Sequence, residues 1–350
     1  MRRLRTWLGV LALGLLTVSG SAQAKDSFKI AWSIYVGWMP WGWAADNVIV
    51  KKWADKYGIE IEVVQINDYV ESINQYTAGG FDGCVMTNMD ALTIPAVGGV
   101  DSTALIVGDF SNGNDGIVGK TAKSVAELKG QSINLVELSV SHYLLARALE
   151  KAGLSEQDVT VVNTSDADIV SVFTGTGDVQ NVVTWNPLLS EVAGLPGAAE
   201  LFNSSEIPGE IIDMMVVNTG TAAENPAFAK ALAGAWYETL AIMHGTDEAG
   251  VAARTAMAEA SGTDLAGFDA QLASTRMFWD AKEAVAFTES PDLVTTMDHV
   301  RSFSAAKGLM GGDMNAVGIG FPGGKSLGNA ESIKLRFDPT YMQLAADGAL

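Results

Sequence analysis

Cysteine and basic residues are both scarce in this 350-residue sequence. Cys84 is its single cysteine, so no disulfide can form within the chain and a disulfide-stapled scaffold is excluded. We interpret this thiol, which lies in the apolar run GCVM, as buried and inert. Lys and Arg number 22 against 41 Asp and Glu, which gives a formal net charge of −19. Such an acidic chain is poorly suited to bind nucleic acid or an anionic membrane surface.

Long apolar runs are absent after the N-terminus. No later segment has the roughly 18 unbroken apolar residues that a membrane-spanning helix needs. Residues 1–24 have a basic head, a short apolar run and small residues before Lys25, which is the pattern of a secretory signal. We expect cleavage after Ala24, which removes three arginines and changes the formal charge from −19 to −22. No cysteine stands at the cleavage position, so we expect an exported, soluble chain without a lipid anchor.

Strand and helix patterns alternate through the first part of the mature chain. Residues 28–34 alternate apolar and polar side chains, which predicts a strand with Trp32 in the core. One helix is predicted over 40–57, because proline suits a first helical turn and glycine a helix end. Asp68 is the expected N-cap of a further helix over 68–80. This order of elements is typical of a parallel, doubly wound sheet.

A turn-rich connector, SNGNDG at 111–116, separates this unit from a second α/β alternation. We interpret a later strand over 209–218 as the segment that returns the chain to the first unit. The pattern from 223 onward is mainly helical. We therefore predict an α/β fold of two lobes with doubly wound mixed sheets, a helical C-terminal part and a hinged cleft between strand ends. The predicted segments are the signal at 1–24, the first part of lobe 1 at 25–118, lobe 2 at 119–208, and a return to lobe 1 at 209–350 with helices that pack on both lobes.

Several segments resemble one family of proteins. They are DYVESINQYTAGGFDGCVMTNMDAL, ALIVGDF, VAELKGQSINL, SHYLLARALEKAGL and VVTWNP. These are similar to the periplasmic binding proteins of ABC importers for sulfonates, nitrate and thiamine pyrimidine precursors. GWMPWGWA, TNMDALTIPA and GDFSNGND resemble the subgroup encoded beside urea carboxylase-type enzymes, which are associated with urea and guanidine.

The resemblance covers about residues 26–220 and implies a type II solute receptor. Such a protein works in the periplasm and delivers a small molecule to an ABC permease in the inner membrane. We expect a monomer with no cofactor, no metal site and no nucleic-acid partner.

Basic residues are missing where the cleft is expected. No Lys or Arg occurs from Gly58 to Gly119 or from Ala152 to Ala229. Anion sites use Lys, Arg or helix N-termini, and carboxylates near helix N-termini would oppose an anion. A small cation gains instead from aromatic faces and from carboxylate acceptors. The pattern therefore favours a cation over an anion.

Candidate binding residues are aromatic, acidic or polar residues at predicted strand ends. Guanidinium has only hydrogen-bond donors and a flat face, so carboxylates and indoles match it. Neutral urea also fits flat walls, and needs donors such as those of Asn88, Ser139 and Ser141 for its oxygen. The candidate set is Trp38, Trp41, Trp43, Asn88, Asp90, Asp109, Glu137, Ser139, Ser141, Trp185 and Asp213.

Structural roles compete with these assignments. Each Trp of the opening WSIYVGWMPWGWA is equally compatible with the core, where large aromatics dominate burial. Asp90 also suits a helix N-terminus, Asp109 a tie to the connector, and Asp213 a hinge. Trp53, on an apolar helical stripe, is assigned to the core.

An enzyme is the alternative class. The same fold hosts a thiamine pyrimidine synthase that carries a reactive histidine and a Cys-rich motif. The histidines here are His142, His244 and His299, none is paired at a metal-ligand spacing, and no nucleophile-elbow, zinc-protease or phosphate-loop motif occurs. We predict a receptor without catalytic residues, with guanidine as its ligand. Urea, a pyrimidine or thiamine precursor and a sulfonate- or nitrate-type anion remain the alternatives.

Overall fold

The computed structural model describes residues 25–175, 177–311 and 313–350. The predicted signal at 1–24 lies outside these residues, and so does its cleavage site. Across the part of the chain that the structure describes, no helix combines the length and the apolar character needed to cross a bilayer.

The described chain contains strands and helices in alternation, followed by a mainly helical C-terminal part. The strands are β1 (Ser27–Trp32), β2 (Glu60–Gln65), β3 (Gly83–Thr87), β4 (Ser102–Ser111), β5 (Asp115–Gly119), β6 (Ser132–Leu135), β7 (Thr160–Asn163), β8 (Asn181–Trp185), β9 (Ala199–Asn203), β10 (Ile212–Asn218), β11 (Thr275–Met277), β12 (Gly318–Gly320), β13 (Ser326–Leu327) and β14 (Ile333–Phe337). The helices are α1 (Met39–Asp46), α2 (Ile49–Tyr57), α3 (Tyr69–Thr77), α4 (Asn88–Ala91), α5 (Val140–Lys151), α6 (Asp166–Thr174), α7 (Leu188–Ala193), α8 (Thr219–Glu224), α9 (Pro226–Met243), α10 (Glu248–Ala260), α11 (Leu265–Ala273), α12 (Ala281–Thr288), α13 (Pro291–Ala306) and α14 (Thr340–Ala346).

Two mixed sheets organise these elements. The larger sheet has the order β13-β12-β14-β4-β10-β3-β1-β2, with β11 beside β4, and the smaller has the order β7-β6-β8-β5-β9. We call the elements built on the larger sheet the first lobe and those built on the smaller sheet the second lobe. The predicted α/β class, with two lobes, mixed sheets and a helical C-terminal part, is confirmed.

The chain crosses between the sheets twice. It leaves the larger sheet after Ser111 and enters the smaller one at Asp115, so the end of the predicted connector is the start of β5. It returns at Ile212 as β10, which runs antiparallel to both of its neighbours, β3 and β4. This insertion sets Asp213 opposite Asp109 on β4 and Thr87 on β3. Residues more than one hundred positions apart in sequence therefore meet at one sheet end.

The single helix predicted over 40–57 is wrong, because the chain breaks into α1 and α2. Val48 adopts a left-handed conformation with φ of 56° between them and is largely exposed. A β-branched residue is strained in this region. The turn lets α2 bury Ile49, Val50 and Ala54 as it packs along α9, which offsets the strain. The predicted N-cap Asp68 is confirmed, since its Oδ1 accepts from the Glu71 N–H at 2.9 Å.

Aromatic side chains fill the core of the first lobe. Phe28 stacks on Phe228 of α9 with ring centroids 4.4 Å apart. Trp32 is only 4% exposed, as predicted, and a Cβ on Gly42 of α1 would lie 2.3 Å from its ring. Trp53 lies at the core margin, half-buried, where its Nε1 donates to a Glu238 carboxylate oxygen at 2.7 Å. The close packing of α1 against the end of β1 thus holds the start of the connecting loop in place.

Candidate functional site

A cavity lies between the two lobes, at the carboxyl ends of β3 and β8. The space not filled by protein atoms is about 290 Å³, which includes the part open to solvent. Thr87 at the end of β3 and Trp185 at the end of β8 face it from opposite lobes. We call it the interlobe cavity. Its lining residues are Tyr35, Trp38, Tyr69, Thr87, Asp115, Val140, Trp185, Ile211 and Asp213.

Four aromatic rings form a continuous wall around this cavity. Tyr35 and Trp38 meet edge to face with centroids 5.1 Å apart, and Trp38 lies 5.4 Å from Tyr69. Tyr69 in turn meets Trp185 of the second lobe at 5.9 Å. All four side chains are buried. Aromatic faces carry partial negative charge, so such a wall attracts a cation.

The loop between β1 and α1 positions two of these rings. The backbone N–H groups of Trp38 and Met39 donate to the Tyr35 carbonyl at 2.8 and 3.0 Å, which closes a tight turn. Gly37 lies inside this turn, where a Cβ would stand 2.5 Å from Oδ2 of Asp109 and 2.8 Å from the Tyr35 ring. A side chain at position 37 would force the loop away from the sheet.

Three buried carboxylates lie at the same place. Asp213 is opposite Asp109 across adjacent antiparallel strands, so their side chains share one face of the sheet. Asp115 begins β5 and pairs with Trp185. Burial raises the pKa of Asp109 and of Asp115 to about 7 each. Burial also raises the pKa of Asp213 well above its usual range, and the charges of Asp109 and Asp115 raise it further.

A second cavity, about the size of one water molecule, lies inside the first lobe. It shares Trp38 and Asp213 with the interlobe cavity, and we call it the inner cavity. Trp41 and Trp236 stack at its wall with centroids 5.1 Å apart. Its lining residues are Trp38, Trp41, Val85, Ile106, Gly108, Asp109, Asp213, Met214, Met215 and Trp236. No Lys, Arg or His lines either cavity among the described residues.

Several buried polar atoms around the cavities have no hydrogen-bond partner in the described chain. They are the Tyr35 hydroxyl, Nε1 of Trp38, Nε1 of Trp236 and both carboxylate oxygens of Asp109. Buried polar atoms are normally hydrogen-bonded, so a cluster of orphans calls for an explanation. These atoms lie at the two cavities, where a bound molecule or water could supply the missing hydrogen-bond partners.

Asp90 lies behind the wall. Its Oδ2 accepts from the Tyr69 hydroxyl at 2.7 Å and from Oγ1 of Thr87 at 2.8 Å. Burial raises the pKa of Asp90 to about 6. Since Tyr69 and Thr87 both line the interlobe cavity, Asp90 acts there by holding them in place.

The other candidates lie outside both cavities. Asn88 binds the return crossing, because its Nδ2 donates to the Glu210 carbonyl at 3.1 Å and its Oδ1 accepts from the Ile212 N–H at 3.1 Å. Trp43 is half-buried and packs against the small cluster of Ala44 and Ile49.

Of the four candidates in the second lobe, Trp185 lines the interlobe cavity and the other three lie outside both cavities. Ser139 caps α5, where its Oγ accepts from the Ser141 N–H at 3.1 Å. The Ser141 Oγ is buried and has no hydrogen-bond partner among the described residues. Glu137 is exposed, two residues beyond the end of β6, and its N–H donates to Oδ1 of Asn163. The structure brings Trp38, Trp185 and Asp213 to the interlobe cavity, and Trp41 and Asp109 to the inner one.

Four aromatic or acidic lining residues were missing from the predicted set. Tyr35 stands within the Trp-rich stretch and Asp115 within the connector, so both lay in segments already singled out. Tyr69 follows the Asp68 cap and carried no separate signal. Trp236 reaches the inner cavity from α9, nearly two hundred residues after Trp38, and no local pattern indicates that contact.

Known proteins resemble this chain in sequence and in fold. A protein of Brucella abortus (strain 2308), named only as a binding protein, is 28% identical over 229 residues, which is 63% of this chain and 69% of the relative. The alkanesulfonate-binding protein SsuA of Xanthomonas axonopodis pv. citri, bound to MOPS, matches with a TM-score of 0.68 and 18% identity, over 83% of this chain and 96% of that one.

The nitrate-binding protein NrtA of Synechocystis PCC 6803 has a TM-score of 0.58 and 12% identity, over 93% of this chain and 99% of its own. At such identities the two solved structures show a shared fold, that of periplasmic binding proteins. A family model described as NMT1/THI5 like matches residues 49–249, more than half of the sequence. The chain therefore belongs to the NMT1/THI5-like family.

Proposed function

We propose that this protein is the exported solute receptor of an ABC importer and that its ligand is a small flat organic cation, with guanidinium as the best fit. The observation that carries the proposal is the lining of the interlobe cavity, which combines four aromatic rings with two buried carboxylates and has no basic side chain among the described residues. Delivery to an inner-membrane permease, export through the 1–24 signal and the urea and guanidine carboxylase association of the subgroup belong to the same proposal.

The chemistry of guanidinium matches this lining. The ion is planar, carries only N–H donors and stays protonated at any ordinary pH. Its flat face can lie against Trp38 or Trp185, a contact worth about 0.5–2 kcal/mol depending on desolvation. Its edge can donate to the carboxylates of Asp115 and Asp213. A buried cation needs such counter-charges, since leaving it unpaired is strongly unfavourable.

An anionic ligand is opposed by the same residues. The two solved relatives named above are described as binding an alkanesulfonate and nitrate. Here the N-terminus of α4 is already capped by Thr87, and Asp90 stands in its first turn. An anion in the interlobe cavity would face Asp115 and Asp213 without a cation to offset them.

Urea is the second candidate, and one observation favours it. The unpartnered Nε1 groups of Trp38 and Trp236 are donors, and guanidinium offers them no acceptor. A urea oxygen could accept from one of them while its amides donate to Asp109. When guanidinium is the ligand, bound water can accept from the same Nε1 groups, so these donors do not distinguish guanidinium from urea. The buried carboxylates do, because only the cation needs a counter-charge.

Calorimetry on the mature chain tests the proposal. Guanidinium, urea, methylammonium, nitrate and taurine are titrated separately at neutral pH. Guanidinium is expected to bind most tightly, and Asp213→Asn should weaken guanidinium far more than urea, because only the cation needs a buried counter-charge. Asp82→Asn is the matched control, since Asp82 is a buried acid at the opposite end of β3 that binds Lys25. Tighter binding of urea or of an anion by the wild type would refute the cation assignment.

A further inference from the structure

The acidic side chains of the two cavities form one connected group. Asp213 lines both cavities, Asp109 lines the inner one and Asp115 the interlobe one. Asp213 and Asp109 are paired in register on neighbouring strands, where side chains are close enough to interact directly. All three are buried, with Asp109 at 0% exposed.

Among the residues that the structure describes, no basic side chain lines the cavities that hold this cluster. The facing titratable groups are Tyr35 in the loop before α1, Tyr69 of α3 and Asp90 of α4. The basic residues on elements that pack against β4, β5 or β10 do not line either cavity: they are His142, Arg147 and Lys151 of α5, Lys230 of α9, Arg276 of β11, Lys282 of α12, and Lys334 and Arg336 of β14. Four of these bind acids elsewhere, His142 to Glu156, Arg147 to Glu210, Arg276 to Glu283 and Arg336 to Asp101.

Buried carboxylates that share a site cannot all be ionised when no cation offsets them. The empty cluster must therefore keep at least one proton around neutral pH. We propose, on the basis of the proposed function, that the receptor exchanges a proton for its cation: binding ionises the Asp109–Asp115–Asp213 cluster and releases a proton, so that affinity is governed by pH.

The direction of this coupling follows from linkage. A bound cation favours the ionised carboxylates and so lowers their pKa values relative to the empty receptor. Affinity for the cation then rises as pH increases and falls as pH drops. The pKa of about 7 for both Asp109 and Asp115 in the empty protein places the transition near neutral pH. A neutral ligand in the same cavity would release no proton.

Calorimetry with guanidinium chloride between about pH 5 and pH 8, in two buffers of different ionisation enthalpy, tests the exchange. The difference in heat between the buffers counts the protons released. We expect release of about one proton near neutral pH and a Kd that falls by about tenfold per pH unit in the acidic part of the range. Urea, titrated in parallel, should give no buffer-dependent heat.

Variants separate the cluster from the rest of the protein. Asp109→Asn should reduce the number of protons released and flatten the pH dependence while guanidinium still binds. If Asp109→Asn does not fold, Asp115→Asn tests the same reduction in proton release and in pH dependence. Asp82→Asn, outside both cavities, should keep the wild-type slope.

Two failures are distinguishable. Guanidinium binding with a pH-independent Kd and no buffer-dependent heat would overturn the proton exchange and leave the proposed function standing. Absence of guanidinium binding across the whole pH range would overturn the proposed function and the exchange with it. Unchanged proton release in both Asp109→Asn and Asp115→Asn would also overturn the assignment to this cluster.

Discussion

Trp32 and Trp38 are six residues apart and have different surroundings. Trp32 ends β1 and packs against Gly42 in the core, whereas Trp38 stands between the two cavities with an unpartnered Nε1. Both are at most 5% exposed, so burial alone does not separate core from binding wall. The difference is what each ring faces, and it predicts different consequences of truncation.

Trp38→Ala should weaken guanidinium binding by about 0.5–2 kcal/mol for the lost aromatic face, with a smaller loss of stability than Trp32→Ala. Trp32→Ala should lower the free energy of unfolding by about 3–5 kcal/mol, because it empties a fully packed site. Calorimetry and urea denaturation on both variants measure the two effects. If Trp38→Ala binds guanidinium as well as the wild type, Trp38 is not a binding wall.

The raised pKa values of Asp109 and Asp115 also bear on stability. An acid whose folded-state pKa is raised favours folding only while it is protonated. Its contribution is complete below the ordinary value near 3.8 and is lost as pH rises toward about 7. Without ligand, the wild type should therefore lose stability relative to Asp109→Asn as pH increases across this window.

Denaturant unfolding of both proteins at pH 5 and at pH 8 measures this difference in unfolding free energy, in which titrating groups that do not interact with Asp109 cancel. At pH 8, saturating guanidinium should reduce the difference in unfolding free energy between the wild type and Asp109→Asn. A wild type that is as stable relative to Asp109→Asn at pH 8 as at pH 5 would show that the carboxylate is neutralised by some other group.

At the scale of elements, the loop from β1 to α1 carries the site. Its turn holds Tyr35 and Trp38 together, and Gly37 brings the loop against Asp109. The antiparallel strand β10 has the complementary role, since it inserts Asp213 beside Asp109. Neither element acts alone, because one supplies the aromatic faces and the other the carboxylate.

Gly37→Ala should lower guanidinium affinity by an order of magnitude or more, because a Cβ 2.5 Å from Oδ2 of Asp109 must displace the loop or the carboxylate. Gly177→Ala is the control, since a Cβ there has no heavy atom within 4 Å. Binding calorimetry on both variants, with thermal unfolding to verify folding, gives the comparison. Wild-type affinity in Gly37→Ala would mean that the loop adapts freely and does not shape the site.

At the scale of the whole molecule, the interlobe cavity depends on both lobes. Trp185, Asp115 and Val140 come from the second lobe and meet Trp38 and Tyr69 of the first. The two chain crossings, after Ser111 and before Ile212, are the covalent links beside this cleft. We propose that the lobes divide at these two links and move about them.

Ligand binding should therefore make the molecule more compact, because closure completes the aromatic and acidic lining. Small-angle scattering of the mature chain with and without saturating guanidinium should show a smaller radius of gyration with ligand. Asp213→Asn, which should not bind the cation tightly, serves as the unresponsive control. An unchanged radius for the wild type at saturation would contradict a hinged receptor.

Local patterns in the sequence were sufficient to predict the class of fold and an aromatic, acidic lining for the cleft. Alternating strand and helix periods indicated two α/β units, and the missing Lys and Arg favoured a cation over an anion before any contact was known. Trp38, Asp109 and Trp185 were singled out because they stand at predicted strand ends, and Asp213 because it interrupts an apolar strand; short segments encode both properties. The specific ligand and the roles of individual site residues stay predictions.

Only the tertiary structure decided which of these residues meet. The register of β10 between β3 and β4 pairs Asp213 with Asp109, and the packing of α9 brings Trp236 against Trp41. The loop after β6 carries Glu137 to the surface, away from both cavities. Periodicity reports which face of an element is apolar, whereas strand register and helix docking depend on surfaces formed by segments far apart in the chain.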